Sequence, residues 1–373
     1  MNNLQDLAAL GQSIWLDNLR RDYVRSGHFL QLIKDRYVTG VTSNPTIFEK
    51  AIASGNMYDE AVRAHAAAGL SPEQIFEEIE TEDITAAADI FRPVYEKTNC
   101  HDGFVSIEVS PLLADDYEKT VKEALRLFEK IGRPNVMIKV PATQSGIRAI
   151  KTLTAEGVNV NATLLFSLAK YSETVNAYIE GLEERAKVGF TVSSIASVAS
   201  FFVSRVDTAA DEKLEKAALL APDEKSRKKV LATRGTVSIA NCKLAYETYE
   251  EMFASKRFAA LREKGAQKQR LLWASTGVKN AAYPATLYVD NLIGPDTVNT
   301  MPDATLEAFL REGEPSATVG DNTAAAAETI NSLRCFGIDF DGILAALEKD
   351  GVKKFVDSYN QLLATIGQKI SSR

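Results

Sequence analysis

Asn135-Val136-Met137-Ile138-Lys139-Val140-Pro141-Ala142-Thr143 is the stretch on which the reading of the fold turns. It is a nearly continuous apolar run with one lysine inside, bounded by Pro134 and closed by Pro141. Runs of this kind suit a parallel strand buried on both faces. An ammonium taken out of water is disfavoured in its charged form, so Lys139 needs an explanation. It is either an amine paired with a core carboxylate or snorkelling from the strand end, or a nucleophile that attacks a carbonyl and forms a Schiff base.

Outward from this run, short apolar or alternating segments recur. Strands are expected near 12–17, 38–44, 104–110, 135–141, 158–163, 195–203, 270–275 and 296–300. Amphipathic stretches lie between them, such as Asp115–Lys130, Gln144–Leu153, Ala169–Ala186 and Ser238–Phe253. Alternating strand and helix implies a parallel sheet with right-handed crossovers, and eight such units imply closure. The expected fold is α/β, an eight-stranded (β/α)8 TIM barrel with additional helices. One barrel domain is expected over 1–373, with helical insertions near 45–103 and 206–269 and C-terminal helices over 304–373. A small inserted helical domain is the alternative for the long connections.

Side chains alternate faces along a strand. Ile14 and Leu16 oppose Ser13, Trp15 and Asp17; Val105, Ile107 and Val109 oppose Ser106, Glu108 and Ser110. Ile138 and Val140 oppose Met137 and Lys139, while Val158, Val160 and Ala162 oppose Asn159, Asn161 and Thr163. Leu272 and Ala274 oppose Trp273 and Ser275, and Thr42 and Asn44 share one side. An apolar face toward the helices and a polar face toward the barrel axis accounts for the set. It gathers Asp17, Asn44, Glu108, Lys139, Asn161, Thr163 and Ser275 at the C-terminal mouth, where barrel enzymes keep their chemistry. Helix capping explains Asn44 or Thr163 singly. It explains two acids and a lysine poorly, because such a group without a function makes an expensive core.

A lysine amine that condenses with a ketone yields a protonated iminium, an electron sink that lets a neighbouring carbon–carbon bond break. One carboxylate takes the proton of the hydroxyl at the cleaved position, and another acid shuttles protons as the carbinolamine forms and dehydrates. Asp17 and Glu108 fit as that pair, with their two roles left unassigned between them. Other chemistries lack their signatures. The three histidines, His28, His65 and His101, have no metal-ligand spacing. Neither a G-x-x-x-x-G-K-[ST] loop nor a G-x-G-x-x-G turn occurs, and no nucleophile elbow is present.

Bulk properties agree with a soluble globular chain. Of 373 residues, 45% are hydrophobic and 25% charged. A net charge of −7 without a basic block argues against nucleic acid or an anionic membrane as partner. Cys100, Cys242 and Cys335 form neither a metal spacing nor a disulfide framework, so a reducing cytoplasm is expected. The start, Met1 to Asp6, lacks the basic and apolar regions of a signal peptide. No apolar run is long enough to span a bilayer.

The sequence resembles the transaldolase family, in its longer bacterial form, over essentially the whole chain. The resemblance is carried by Gly40-Val41-Thr42-Ser43-Asn44-Pro45-Thr46, by Val105-Ser106-Ile107-Glu108-Val109, by the lysine motif Val136–Thr143, by Gly157–Ser167 with its Asn161-Ala162-Thr163-Leu164-Leu165-Phe166-Ser167, and by Ser200-Phe201-Phe202-Val203-Ser204-Arg205. It implies transfer of a dihydroxyacetone unit between sugar phosphates in the pentose phosphate pathway, with no cofactor and no metal. The implied donors are sedoheptulose 7-phosphate or fructose 6-phosphate, and the acceptors glyceraldehyde 3-phosphate or erythrose 4-phosphate. Lys139 matches the Schiff-base lysine, and Asp17 the aspartate that deprotonates the C4 hydroxyl. Glu108 and Thr163 match the pair that holds a catalytic water. Asn44 and Asn161 match ligands of the dihydroxyacetone part, Ser200 a contact to its terminal hydroxyl, and Arg205 a phosphate ligand. Thr42, Phe202 and Ser275 complete the substrate-binding set.

One departure stands out. Shorter family members carry Ser-Phe-Arg after strand seven, the arginine binding phosphate; here the run is Ala274-Ser275-Thr276-Gly277-Val278-Lys279-Asn280. Lys279 is either a substitute, as a point charge rather than a fork, or a solvated loop lysine. Two rival functions remain at this level: a direct aldolase that releases free dihydroxyacetone, and a silent barrel that only binds sugar phosphates. Monomer and homodimer are both open.

Overall fold

The computed structural model describes residues 2–371. Eight parallel strands close in chain order: β1 Gln12–Leu16, β2 Val38–Val41, β3 Val105–Glu108, β4 Val136–Pro141, β5 Val160–Leu165, β6 Ser197–Phe202, β7 Gln269–Ala274 and β8 Thr297–Met301. Closure comes from β1 pairing with β8 as well as with β2. The barrel thus has no free edge, and almost every strand residue is buried.

The two faces of the strands feed two cores. Ile14, Leu16, Val105, Ile107, Ile138, Val140, Val160 and Ala162 pack outward against the helices. Trp15, Phe104, Met137, Val198, Leu272 and Val298 fill the inside. Trp15 takes so much of the axis that a neighbour on β2 has to be glycine: a Cβ on Gly40 would lie 2.6 Å from the indole ring. At the N-terminal end, Trp15 donates its indole N–H to Asp102 Oδ1 at 2.7 Å, Ser13 hydrogen-bonds Asp102, and Arg270 reaches both Ser13 Oγ at 2.7 Å and Asp102 at 3.5 Å. The buried Arg270–Asp102 pair plugs the floor of the barrel.

Two local expectations need correction. On β7 it is Leu272 and Ala274 that face the axis, not Trp273. Register explains this: Leu272 lies beside Ser200 and Trp273 beside Phe201, and register partners in a parallel pair share a face. Trp273 packs outside at 88° to Phe201, with its N–H on Leu292 O at 2.9 Å. Ser275 still reaches the mouth, because the strand ends at Ala274 and Ser275 turns into the left-handed region at φ 59°. β5 also runs past Thr163 to Leu165. The register with β6 slips between Ala162 and Leu165, and Leu164 sits at φ 62°. Such a bulge re-aims side chains near an active site; here it turns Leu164 inward against Gly351.

The long connections are helical. Pro45–Ala53, Asp59–Ala67 and Pro72–Lys97 lie between β2 and β3. Ser204–Leu219, Glu224–Leu231, Val237–Phe253 and Lys256–Arg262 lie between β6 and β7. After β8 come Asp303–Glu312, Thr323–Cys335 and a final helix Phe340–Ser371 of 32 residues. This last helix packs on Pro45–Ala53, Asp59–Ala67, Pro72–Lys97, Ser204–Leu219 and β5, which lays it across the C-terminal end of the barrel. Among the described residues, no helix is long and apolar enough to cross a membrane.

Candidate active site

A cavity of about 110 Å³ opens at the C-terminal mouth. Asp17, Thr42, Asn44, Lys139, Thr163, Ser200, Phe202, Arg205, Ser275 and Lys279 all line it. Ten of the twelve residues singled out in the sequence therefore converge. The other two stand just behind the wall. Asn161 is fully buried, donating to Ser106 Oγ at 3.1 Å and accepting from Ser200 Oγ at 2.7 Å. Glu108 is buried beside Lys139.

Lys139 projects inward because β4 puts Ile138 and Val140 in the outer core. Its Nζ donates to Glu108 Oε2 and to the Ser43 carbonyl, each at 3.2 Å, and only 6% of the side chain is exposed. β3 and β4 pair Glu108 directly with Lys139, so two inward residues on adjacent strands meet without any loop. Asp17 follows β1, its N–H held by Met301 O at 2.8 Å, and its carboxylate accepts from Thr42 Oγ1 at 2.9 Å. Thr42 in turn shares a 2.6 Å contact with Thr300 Oγ1.

Burial dominates the acids. Asp17 is pushed up by desolvation, with the positive charge of Lys139 and the Thr42 hydrogen bond opposing it. Glu108 is pushed up by desolvation, with Lys139 opposing and the Asp17 charge adding. Each acid can therefore hold a proton closer to neutrality than an exposed carboxyl does.

Asn44 lines the cavity, and its side chain caps Pro45–Ala53 by accepting from Ile47 N at 3.0 Å. Arg205, at the start of Ser204–Leu219, lies 5.0 Å from the Phe202 ring centroid, and its Nη1 is buried with no protein partner. Desolvation lowers its pKa. Thr163 Oγ1 and Glu108 Oε1 are likewise buried and unpartnered. Ser275 Oγ lies 3.0 Å from Ser204 Oγ, which ties the β7 loop to the helix that carries Arg205.

Sequence reasoning missed Thr300, Pro302 and Phe355, which also line the cavity. Thr300 could have been found, as a hydroxyl near the C-terminal end of the eighth strand. Phe355 could not. It comes from the middle of the final helix, and its ring centroid lies 5.4 Å from Lys139 Nζ. Among the described residues, no group of three or more His, Cys, Asp or Glu side chains is arranged to hold a metal.

A closed parallel barrel with a buried amine hydrogen-bonded to an acid, and a second acid on the wall of the same C-terminal mouth, belongs with the barrels built for Schiff-base chemistry on carbonyl compounds. Comparison with known proteins narrows it. The family model described as Transaldolase/Fructose-6-phosphate aldolase matches residues 14–366, and the chain belongs to that family. It is 48% identical over 370 residues to a protein named Transaldolase from Saccharopolyspora erythraea, covering 99% of this chain and 98% of the relative. The Transaldolase of Mycolicibacterium smegmatis is 46% identical over 368 residues, covering 98% and 97%. Transaldolase 2 of a Nostoc species is 45% identical over 373 residues, covering 99% and 98%.

Proposed function

We propose that the chain transfers a dihydroxyacetone unit from sedoheptulose 7-phosphate or fructose 6-phosphate to glyceraldehyde 3-phosphate or erythrose 4-phosphate, through a Schiff base on Lys139. The observation that carries the reading is the 3.2 Å contact between Lys139 Nζ and Glu108 Oε2 on adjacent strands, with Asp17 on the wall of the same mouth. Glu108 is placed to take the ammonium proton, which leaves the amine free to attack the C2 ketone. Dehydration of the carbinolamine gives the iminium. Asp17 then accepts the C4 hydroxyl proton as the C3–C4 bond breaks, and the aldehyde departs. The electrons come to rest in an enamine, which attacks the acceptor aldehyde as the same steps run in reverse.

The unpartnered Thr163 Oγ1 and Glu108 Oε1 support a role for this pair in holding the water that dehydration releases. Asn161, Ser200 and Asn44 supply donors and acceptors for the three-carbon unit. Arg205, whose Nη1 has no protein partner, and Lys279 on the same wall supply the cations that an anionic substrate needs. Phe355 over the amine favours transfer over hydrolysis, because an enamine shielded from water survives until the acceptor arrives.

A coupled assay on fructose 6-phosphate with erythrose 4-phosphate tests the proposal. Turnover is expected with the acceptor, little free dihydroxyacetone without it, and no effect of EDTA. Release of dihydroxyacetone at the same rate with and without acceptor identifies a direct aldolase instead. Binding of sugar phosphate without turnover identifies a silent barrel.

A further inference from the structure

Behind the mouth lies a second cavity, of about 120 Å³, large enough for more than one water. Its walls are the end of β3 and the helices Pro72–Lys97, Tyr117–Ile131 and Phe340–Ser371, and they include Glu80, Glu77, Glu123, Tyr359 and Glu108. Glu108 forms part of this wall and no part of the wall of the mouth. Its Oε2 is engaged by Lys139, while Oε1 is buried without a partner. Glu80 is 7% exposed and makes no ion pair with any described residue. Farther out, Glu77 meets Arg126 and Lys130 at 2.7 Å.

We propose that Glu80 is a relay residue that exchanges a proton with Glu108 through water in this rear cavity. The inference rests on the Schiff-base reading, in which Glu108 must both give and take protons. With substrate in the mouth and Phe355 over the amine, the route to solvent on that side is filled; the rear cavity supplies another. The step balances without any co-reactant. The Glu80 O–H passes its proton to a water, that water passes one to the Glu108 carboxylate, and solvent returns a proton to Glu80 past Glu73 and Glu77. Electrostatics favour the exchange. Burial, then the charges of Glu108, Glu77, Asp83 and Glu123, push the Glu80 carboxyl well above an exposed glutamate, and Glu108 is raised too. Both carboxyls are thus biased toward holding a proton, so either can act as the donor. Glu80 touches no reacting atom and acts only through Glu108.

Glu80→Gln keeps the shape and removes the proton that titrates. Expected are a kcat lower by about tenfold, below the 10²–10⁴ of a group acting directly, a KM for fructose 6-phosphate within about twofold of the parent, and a displaced pH profile of kcat. In Glu80→Ala, added formate should restore kcat in proportion to its concentration. An unchanged kcat and pH profile in Glu80→Gln overturns the relay, as does a lower kcat with an unmoved profile and no formate rescue. Borohydride trapping of fructose 6-phosphate on the parent protein separates the two levels. An adduct on Lys139 together with an unaffected Glu80→Gln removes the relay alone. No adduct on the parent removes the relay and the Schiff-base reading together.

Discussion

Arg205 shows how one side chain is set up for a ligand. Its Nη1 is out of water with no protein acceptor, a costly state unless an anion completes it. Arg205→Ala is expected to lower kcat/KM for phosphorylated donors by about 10- to 100-fold, the loss of a charge-assisted hydrogen bond of about 1.5–3 kcal/mol, and to leave free dihydroxyacetone as donor little affected. Equal losses for both would remove the phosphate role. Asp17 is separable in the same way. Asp17→Asn should lose about 10²–10⁴ in cleavage rate and still form the Schiff base, measured as trapping without turnover; loss of trapping would place Asp17 in amine activation instead. Strand alternation alone brings Asp17, Lys139 and Thr163 to one face in the sequence, whereas Arg205, at a helix start, follows only from the family resemblance. Trp273 misled for a physical reason: it shares its parity with Ser275, but the strand ends at Ala274 and Ser275 turns left-handed, so the serine reaches the mouth while Trp273 packs outward and satisfies the Leu292 carbonyl.

Elements of the barrel followed from period-two patterns, with strand limits within a few residues of those observed. The final helix, Phe340–Ser371, was visible as helix but not as part of the site. Its amphipathic pattern says that one face is buried, not against what. Only the fold brings Phe355 over Lys139 and Gly351 against Leu164. The bulge in β5 was hidden for a related reason, since a single left-handed leucine at 164 carries no compositional mark. Phe355→Ala is expected to raise dihydroxyacetone release in the absence of acceptor several-fold over the parent, by admitting water to the enamine. An unchanged ratio of release to transfer would mean that the helix does not shield the amine.

At the scale of the whole molecule, the rival organisations were one barrel with helical additions and a barrel with an inserted domain. Sequence could not separate them, because helical periodicity is the same in both. We propose the first, supported by the way the final helix binds three helices from residues 45–97 and β5 at once. Coincident urea transitions by tryptophan fluorescence and far-ultraviolet circular dichroism are expected, since Trp15 and Trp273 are both in the barrel and much of the helix lies outside it. Separated transitions would mean that the helical insertions fold as their own unit. The proposed chemistry turns on one covalent bond, from the buried amine on β4, activated by the acid beside it, to the substrate ketone. Borohydride reduction in the presence of fructose 6-phosphate, followed by peptide mapping, tests it most directly. One modified residue, Lys139, is expected, with no modification or turnover in Lys139→Ala; an unmodified Lys139, or full turnover in the alanine variant, would rule out the covalent bond.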